Sequence, residues 1–387
     1  MAEKRKDSNG RILRTGESQR PNGTYMFRYT TPSGKKKWCY APTLKELREL
    51  EKEIASAEID GIDLSAPYST VLDLVDCYLK SHTAVRQQTA EGYQHIRNRI
   101  SREAFSGCKI SDVKQSDAKA FFVHMNKKGL CYRTLLNFQA LLRPAFEMAV
   151  QDNYIRVNPI AFKLSSVIKN EQKKKFALTQ EQIDSFLSFL KADTVGAKYY
   201  DEFVILIETG LRISELCGLT IDSVDLENRR IRVVQQLIGT SHDKLRVDVP
   251  KTKTGVRVVP LTTMAYEAFQ RVLERRAKKP CTMEIDGQTG FLFVKGDGVP
   301  MVSDSFRASL KRLVNKYNKS HETPLPNITP HTLRHTFVSR LYEKGIDVKC
   351  LQMVVGHSNV QTTLNIYTHI DYDRVEQEFH KVTADDT

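Results

Sequence analysis

The sequence contains no run of 18 apolar residues, so no segment of it is expected to cross a bilayer as a helix. No apolar stretch follows the charged opening M-A-E-K-R-K-D-S-N-G, which reads as no secretory signal and leaves the cytoplasm as the expected compartment. The seven cysteines (Cys39, Cys77, Cys108, Cys131, Cys217, Cys281, Cys350) are odd in number, scattered, and never in a C-x-x-C pair. They argue for reduced thiols, against a disulfide framework or a zinc site. A metal nuclease needs a carboxylate cluster such as D-x-D or H-x-E, and none stands at suitable spacing, so neither a metal nor a cofactor is expected. Internal repeats and low-complexity tracts are also lacking. Acid is in short supply: 59 Lys and Arg face 46 Asp and Glu, a net charge of +13. That excess favours a polyanionic partner, most simply nucleic acid, although an anionic membrane surface would satisfy the charge alone.

At 387 residues the chain is long for one core, and two or three domains are expected; 40% hydrophobic residues suffice for ordinary interiors. Charge is distributed unevenly. The first forty residues hold ten Lys or Arg against three acids, more than half of the net charge in a tenth of the chain. Within them, after the turn Pro21-Asn22-Gly23, Tyr25, Phe27 and Tyr29 alternate with Met26, Arg28 and Thr30. A second turn, Pro32-Ser33-Gly34, leads to Lys37-Trp38-Cys39-Tyr40. Period two between Pro/Gly turns reads as a small antiparallel sheet with aromatics on one face and basic residues on the other. A helix should follow over about 43–58, ended by Gly61. Such a sheet can enter a major groove as β-ribbon readers do, with Arg28, Lys35, Lys36 and Lys37 as candidate contacts. The alternative is a basic extension that only solubilises the chain.

From Pro67 the pattern turns helical. Val71, Leu74, Val75, Tyr78 and Leu79 follow the i, i+3, i+4, i+7, i+8 stripe, and similar stripes recur over 93–100, 118–125 and 135–149. Four or five short helices would make one small α domain, with Asn158-Pro159 stopping the last; a protein-interaction module would read the same way. The polar segment 164–175, with Lys173-Lys174-Lys175, reads as a linker, either lying on phosphates or merely solvated. Thr179-Gln180-Glu181-Gln182 is a capping box that opens a helix to about Leu190, and a helical run continues to Gly218. Strand-like pieces follow at 230–237, 246–249 and 256–261, the last two joined by the turn Lys251-Thr252-Lys253-Thr254-Gly255. Helices over 262–278 and 303–317 and a short strand at 291–294 complete a mostly helical domain with a small β-sheet on one edge.

The chemistry-bearing residues concentrate in this last domain. His331 and Arg334, three apart, share one helix face. Such a face offers an anion a titratable donor beside a guanidinium that can grip two phosphate oxygens. His357 follows Gly356, and Tyr367, ten residues further on, could attack that anion if brought to it. Upstream, in E-T-G-L-R-I-S-E-L, Arg212 follows a Gly-Leu turn and Glu215 lies one helical turn later, while Lys253 stands in T-K-T-G at a hairpin, two residues from Lys251. Taken singly these are ordinary features: surface or capping residues, an internal Arg-Glu pair, a solvated turn.

Together, H-x-x-R, the later G-H and the Tyr ten residues beyond closely resemble the C-terminal signature of the tyrosine recombinases (integrases). The Arg212 string resembles that family's first arginine motif, and the basic N-terminal sheet resembles the arm-binding domain of integrases from conjugative transposons. The resemblance spans essentially the whole chain. It implies a small N-terminal three-stranded β-sheet plus helix (1–66, arm-type DNA binding) and an α-helical core-binding domain (67–163). A linker (164–175) would lead to a mostly α catalytic domain with a small antiparallel sheet and a C-terminal tail (176–387).

It also implies roles. Arg212 and Arg334 would clamp the non-bridging oxygens of a phosphodiester, Glu215 orient the site, His331 and His357 donate hydrogen bonds, with His331 also taking the proton of Tyr367. Lys253, with Lys251 as competitor, would protonate the departing 5′ oxygen. His335 and His369 match no family position, and Tyr342 and Tyr372 read as packing residues. The implied product is a 3′-phosphotyrosine link that a second 5′-hydroxyl can reverse without ATP. The implied partners are double-stranded DNA at core and arm attachment sites, a homotetramer working through a Holliday junction, and an excisionase or DNA-bending accessory protein, in the bacterial cytoplasm. The tail after Tyr367 would dock on a neighbouring protomer. The function so expected is a site-specific DNA recombinase that integrates and excises a mobile element. A type IB topoisomerase, disfavoured by the arm domain, and a non-catalytic DNA-binding regulator are the rivals.

Overall fold

The computed structural model describes residues 5–30, 34, 36–59, 70–171, 176–239, 245–250 and 253–356, the side chains of 53, 57–59 and 253 excepted. The chain divides into two compact units, Met1–Gln172 and Lys173–Thr387.

The first unit begins with a three-stranded antiparallel sheet, β1 (Glu17–Gln19), β2 (Tyr25–Thr30) and β3 (Lys36–Ala41), followed by α1 (Leu44–Ile59). Tyr25, Ala41, Leu44 and Leu47 form the core between sheet and helix, each large side chain stabilising by about 1.5–3 kcal/mol on burial. The faces differ from the expected partition. Register pairs Arg28 with Trp38, Met26 with Tyr40 and Thr30 with Lys36, so two half-exposed aromatics share the open face with the basic residues, and the Arg20 guanidinium lies 5.2 Å from the centre of the Tyr40 ring. Lys37, opposite Tyr29, falls on the other face. A period of two cannot do otherwise: neighbours 36 and 37 must part, and 36, 38 and 40 must stay together. Lys35 and Gly61 lie outside the described residues.

The helical part comprises α2 (Val71–Ser81), α3 (Gln87–Ile100), α4 (Gln115–Lys127) and α5 (Tyr132–Gln151). Thr70 and Asp73 form a capping box at α2, and the predicted stripes bury Val71, Leu74, Val75 and Tyr78 against Phe122, Phe138 and Phe146. α5 stops at Gln151, before Asn158-Pro159: Asn153 turns to a left-handed φ of 57°, while the Asn158 amide donates back to the Arg143 carbonyl and to Glu147. Leu164 and Ile168 are buried in the same core, so the chain remains attached to it through Ile168.

The second unit contains α6 (Gln180–Ala192), α7 (Tyr200–Thr209), α8 (Ile213–Gly218), β4 (Val224–Asp225), β5 (Arg230–Val233), β6 (Gln236–Ile238), β7 (Arg246–Asp248) and β8 (Arg257–Pro260). After them come α9 (Thr263–Lys278), α10 (Ser303–Ser320), α11 (Pro330–Glu343) and α12 (Val348–Val355). The Thr179 capping box at α6 is present. Two strand expectations need correction. The piece at 230–237 is broken between β5 and β6, because Gly218 at the end of α8 abuts Gln236: a Cβ on Gly218 would stand 2.8 Å from Gln236 Cα. In consequence β4, β5 and β8 form one antiparallel sheet and β6 and β7 another, so the segment after β7 crosses between sheets and joins no hairpin. Residues 291–294 make no strand either. Phe291, Leu292 and Phe293 are buried in succession, with single bridges from Phe291 to Thr220 and from Val294 to Pro300.

Candidate active site

Four helix ends converge on the site, and local sequence sets each of them. α7 ends at Gly210, whose φ of 61° is left-handed; a Cβ there would lie 2.3 Å from Phe337 Cδ1, so glycine alone lets this end lie against α11. Two residues later Arg212 caps α8. Its backbone N–H donates to Glu215 Oε2 at 2.9 Å and its Nη1 to Oε1 at 2.6 Å. α11 opens with Thr329 as N-cap, reciprocally bonded to Thr332, and Pro330 in its first turn. His331 is exposed in that turn. Residues 332–338 are all buried, as in a helix packed on every side, and this places Arg334 in the interior at 3% exposure. α12 ends at Gly356, also left-handed at 72°.

The carbonyls that terminate α12 have no intrahelical donors. Three arginines from three different elements supply them. Arg257 Nε donates to the Val354 carbonyl at 2.7 Å, Arg334 Nη2 to Val355 at 2.7 Å and Arg212 Nη2 to Gly356 at 3.3 Å. Their charge also suits the negative end of a helix dipole. Arg334 Nη1 donates in addition to the Gly210 carbonyl at 2.7 Å, so one guanidinium spans the ends of α7 and α12.

Glu215 is the only carboxylate that bonds to these guanidiniums among the described residues. Burial would raise its carboxyl, but the two-point pair with Arg257 (2.9 and 3.2 Å) and the charges of Arg212 and Arg334 hold it at about 2. Arg334 is pulled down to about 9, first by burial and then by the neighbouring Arg212 charge. Three guanidiniums around one carboxylate leave an excess of positive charge, and Arg212 and Arg334 border a cavity of about 490 Å3 together with His331, Asn327, Arg307 and Lys311. The His331 ring stands edge-on to His335, centroids 4.9 Å apart.

Of the seven residues singled out from sequence, the structure therefore gathers Arg212, His331 and Arg334 on one cavity, with Glu215 behind Arg212. Lys253 begins the short turn Lys253–Gly255, of which only its backbone is described. Lys251, His357 and Tyr367 lie outside the described residues. Sequence reasoning missed Arg257, and also Arg307 and Lys311 on α10. Strand alternation held a signal for the first: Arg257 occupies an inward position of β8 with Val259, while Val258 faces out, and an inward arginine needs acceptors. Nothing in the α10 pattern marks Arg307 and Lys311 as cavity residues rather than solvated ones.

Residues 177–374 match the phage integrase family, and residues 1–57 match the DNA binding domain of Tn916 integrase. The chain belongs to the phage integrase family. Over its whole length this integrase is 37% identical to the transposase from transposon Tn916 of Enterococcus faecalis, of which 98% is matched. It is 25% identical to tyrosine recombinase XerC of Bacillus subtilis over 85% of this chain and 95% of that one. The Tn1549 transposon integrase, solved in complex with a circular intermediate DNA, is 42% identical with a TM-score of 0.77, covering 81% of this chain and 100% of the other. A lambda integrase dimer bound to a COC′ core site, at 18% identity and a TM-score of 0.56 over 93% and 98% of the two chains, shares the fold. The expected fold class is borne out, and the reaction class is that of a tyrosine-type site-specific DNA recombinase.

Proposed function

We propose that this integrase cuts and rejoins double-stranded DNA through a 3′-phosphotyrosine link formed by Tyr367, integrating and excising a mobile element of the conjugative-transposon kind. The observation that carries the residue assignment is the meeting of Arg212, His331 and Arg334 on one cavity with a surplus of positive charge. A phosphodiester carries one negative charge and its pentacoordinate transition state more, so cations held in advance are the chief requirement. Arg334 is held by two backbone carbonyls, neutral acceptors that fix its guanidinium plane without cancelling its charge, while Arg212 is fixed chiefly by Glu215, a carboxylate that it shares with Arg257. The scissile phosphate adds to their free N–H groups or displaces the weak 3.3 Å contact of Arg212 with Gly356.

An ordinary tyrosine has a pKa of about 10, so attack by Tyr367 requires loss of its proton. His331 accepts that proton, His357 donates to a phosphate oxygen, and Lys253 protonates the leaving 5′ oxygen, which is otherwise a poor leaving group. Glu215 orients Arg212 through its paired oxygens. Arg307 and Lys311 hold the phosphates that flank the scissile one. The bond energy is kept in the phosphotyrosine, so a 5′-hydroxyl from a second duplex reseals the strand without ATP.

Partition of labour follows the expected domains: 1–66 on arm sites, 67–163 and 176–387 on core sites, with 164–175 between them. The open face of the N-terminal sheet, with Arg28, Lys36, Trp38 and Tyr40, is the arm-reading surface. A homotetramer on bacterial DNA in the cytoplasm, with an excisionase or DNA-bending partner, completes the proposal. Full-length likeness to a transposon transposase, arm domain included, supports recombination over simple relaxation of supercoils.

The test is covalent trapping: the protein is mixed with a nicked duplex carrying a candidate attachment site, in EDTA, and resolved on a denaturing gel. An adduct on the 3′ phosphate that vanishes in Tyr367→Phe is the expected result. Binding without an adduct on any site would move the DNA-binding regulator ahead.

A further inference from the structure

Arg257 has no place on the cavity, yet its side chain is the most heavily committed in the site. Nε donates to the Val354 carbonyl (2.7 Å), Nη1 to Glu215 Oε1 (3.2 Å) and to the Gly255 carbonyl (3.1 Å), and Nη2 to Glu215 Oε2 (2.9 Å). Its side chain is 4% exposed, so these contacts are made out of water. Each leads to a different functional group of the proposed reaction: Glu215 to Arg212, Gly255 to the turn that carries Lys253, and Val354 to the helix end before His357. Gly356 closes over the junction: a Cβ there would lie 2.9 Å from the Thr254 carbonyl and 3.0 Å from Arg257 Cδ, so turn and helix end meet at this one side chain.

We propose that Arg257 is a positioning residue that holds the Lys253 turn in register with the Arg212–Glu215 pair, so that leaving-group protonation and phosphate binding act on the same scissile phosphate. This rests on the reading of Lys253 as the acid. A buried ion pair serving stability alone would need neither the Gly255 nor the Val354 bond, and Lys at 257 would retain much of it. A lysine's three N–H donors all leave from one nitrogen and cannot span the acceptors that Arg257 serves from Nε, Nη1 and Nη2. Arg257→Lys should therefore keep the charge opposite Glu215 and loosen the turn.

The experiment measures single-turnover adduct formation by full-length protein on a nicked core site with a normal phosphodiester and with a 5′-bridging phosphorothiolate. Attack by Tyr367 breaks the P–O bond in the first case, and the alkoxide must take up a proton. In the second it breaks the P–S bond and a thiolate leaves unaided, because thiols are far stronger acids than alcohols. General-acid help accounts for about 10²–10⁴-fold of such a step. Arg257→Lys should bind core DNA within about twofold of the parent and form adduct roughly 10²-fold slower on the phosphodiester, with most of that loss recovered on the phosphorothiolate. Equal slowing on both substrates, or parental rates on both, would overturn the proposal. Lys253→Ala run alongside separates the two ideas: if it shows no recovery on sulfur, the reading of Lys253 fails whatever Arg257 does. Should Arg257→Lys not fold, Gly255→Ala serves instead. It leaves Arg257 on Glu215 and Val354 but shifts the turn, since a Cβ there would stand 2.3 Å from Pro250 Cβ. No recovery on sulfur in that variant would equally refute the proposal.

Discussion

Replacing Glu202 by glutamine should stabilise the catalytic unit, and by an amount that grows with pH. Glu202 lies in the first turn of α7, almost wholly buried; Oε1 is 4.0 Å from Arg275 Nη2 and Oε2 finds no hydrogen-bond partner among the described residues. Burial pushes its carboxyl up to about 7 from the ordinary 4.5, against the opposing pull of Arg275. A carboxyl whose folded pKa lies above its unfolded one binds its proton more tightly when folded. Its contribution is intact below the unfolded pKa and is lost as pH climbs through the folded value. A rise of about 2.5 units at about 1.4 kcal/mol per unit gives a loss of roughly 3 kcal/mol by pH 8 and about 1 kcal/mol at pH 5. Glutamine never ionises and has nearly the same shape, so Glu202→Gln should exceed the parent by about those amounts. Urea unfolding followed by circular dichroism at pH 5, 6, 7 and 8 reads this out. Trp38, the single tryptophan, sits in the N-terminal sheet, so its fluorescence transition should not shift and serves as an internal control. A difference independent of pH, or a glutamine variant weaker than the parent at pH 8, would refute the reasoning.

Three further outcomes are expected. Gly210→Ala combines a positive φ with a 2.3 Å approach to Phe337 and should cost about 2–4 kcal/mol in denaturant unfolding; a loss below about 1 kcal/mol would mean that α11 yields easily. Asp76→Asn breaks the paired 2.6 and 2.7 Å bonds to Arg97 between α2 and α3, both partly exposed, and should cost about 1 kcal/mol, less in high salt; an unchanged melting temperature at low salt would discount the pair. Trp38→Ala should lower affinity for arm-site DNA about tenfold and leave core-site binding unaltered, as measured by gel shift; equal losses on both sites would show general unfolding instead.

The helix starts were legible because their signals are local: Thr179 and Thr329 announce themselves through side chains that bond backbone three residues on. Strand partners were not. Spacing shows that 230–261 is strand-like, but only contact between Gly218 and Gln236 breaks the first piece and assigns its halves to separate sheets. The run Phe291-Leu292-Phe293 reads as a strand for want of any signal that it is buried on all sides. In the site, His331 and Arg334 were legible from a helical interval. Arg257 was not, for its acceptors include the Val354 main-chain oxygen, 97 residues away, which leaves no mark on residue type.

The triple cap on α12 has an evolutionary consequence. Val354, Val355 and Gly356 contribute oxygens that every amino acid possesses, so outward positions such as Met353, 68% exposed, can drift in identity without disturbing the arginines. The length of the helix enjoys no such freedom. One residue gained or lost inside α12 would rotate its terminal carbonyls by about 100° and turn all three away from their guanidiniums. Diversity among relatives should therefore accumulate in this helix as substitutions and almost never as insertions or deletions.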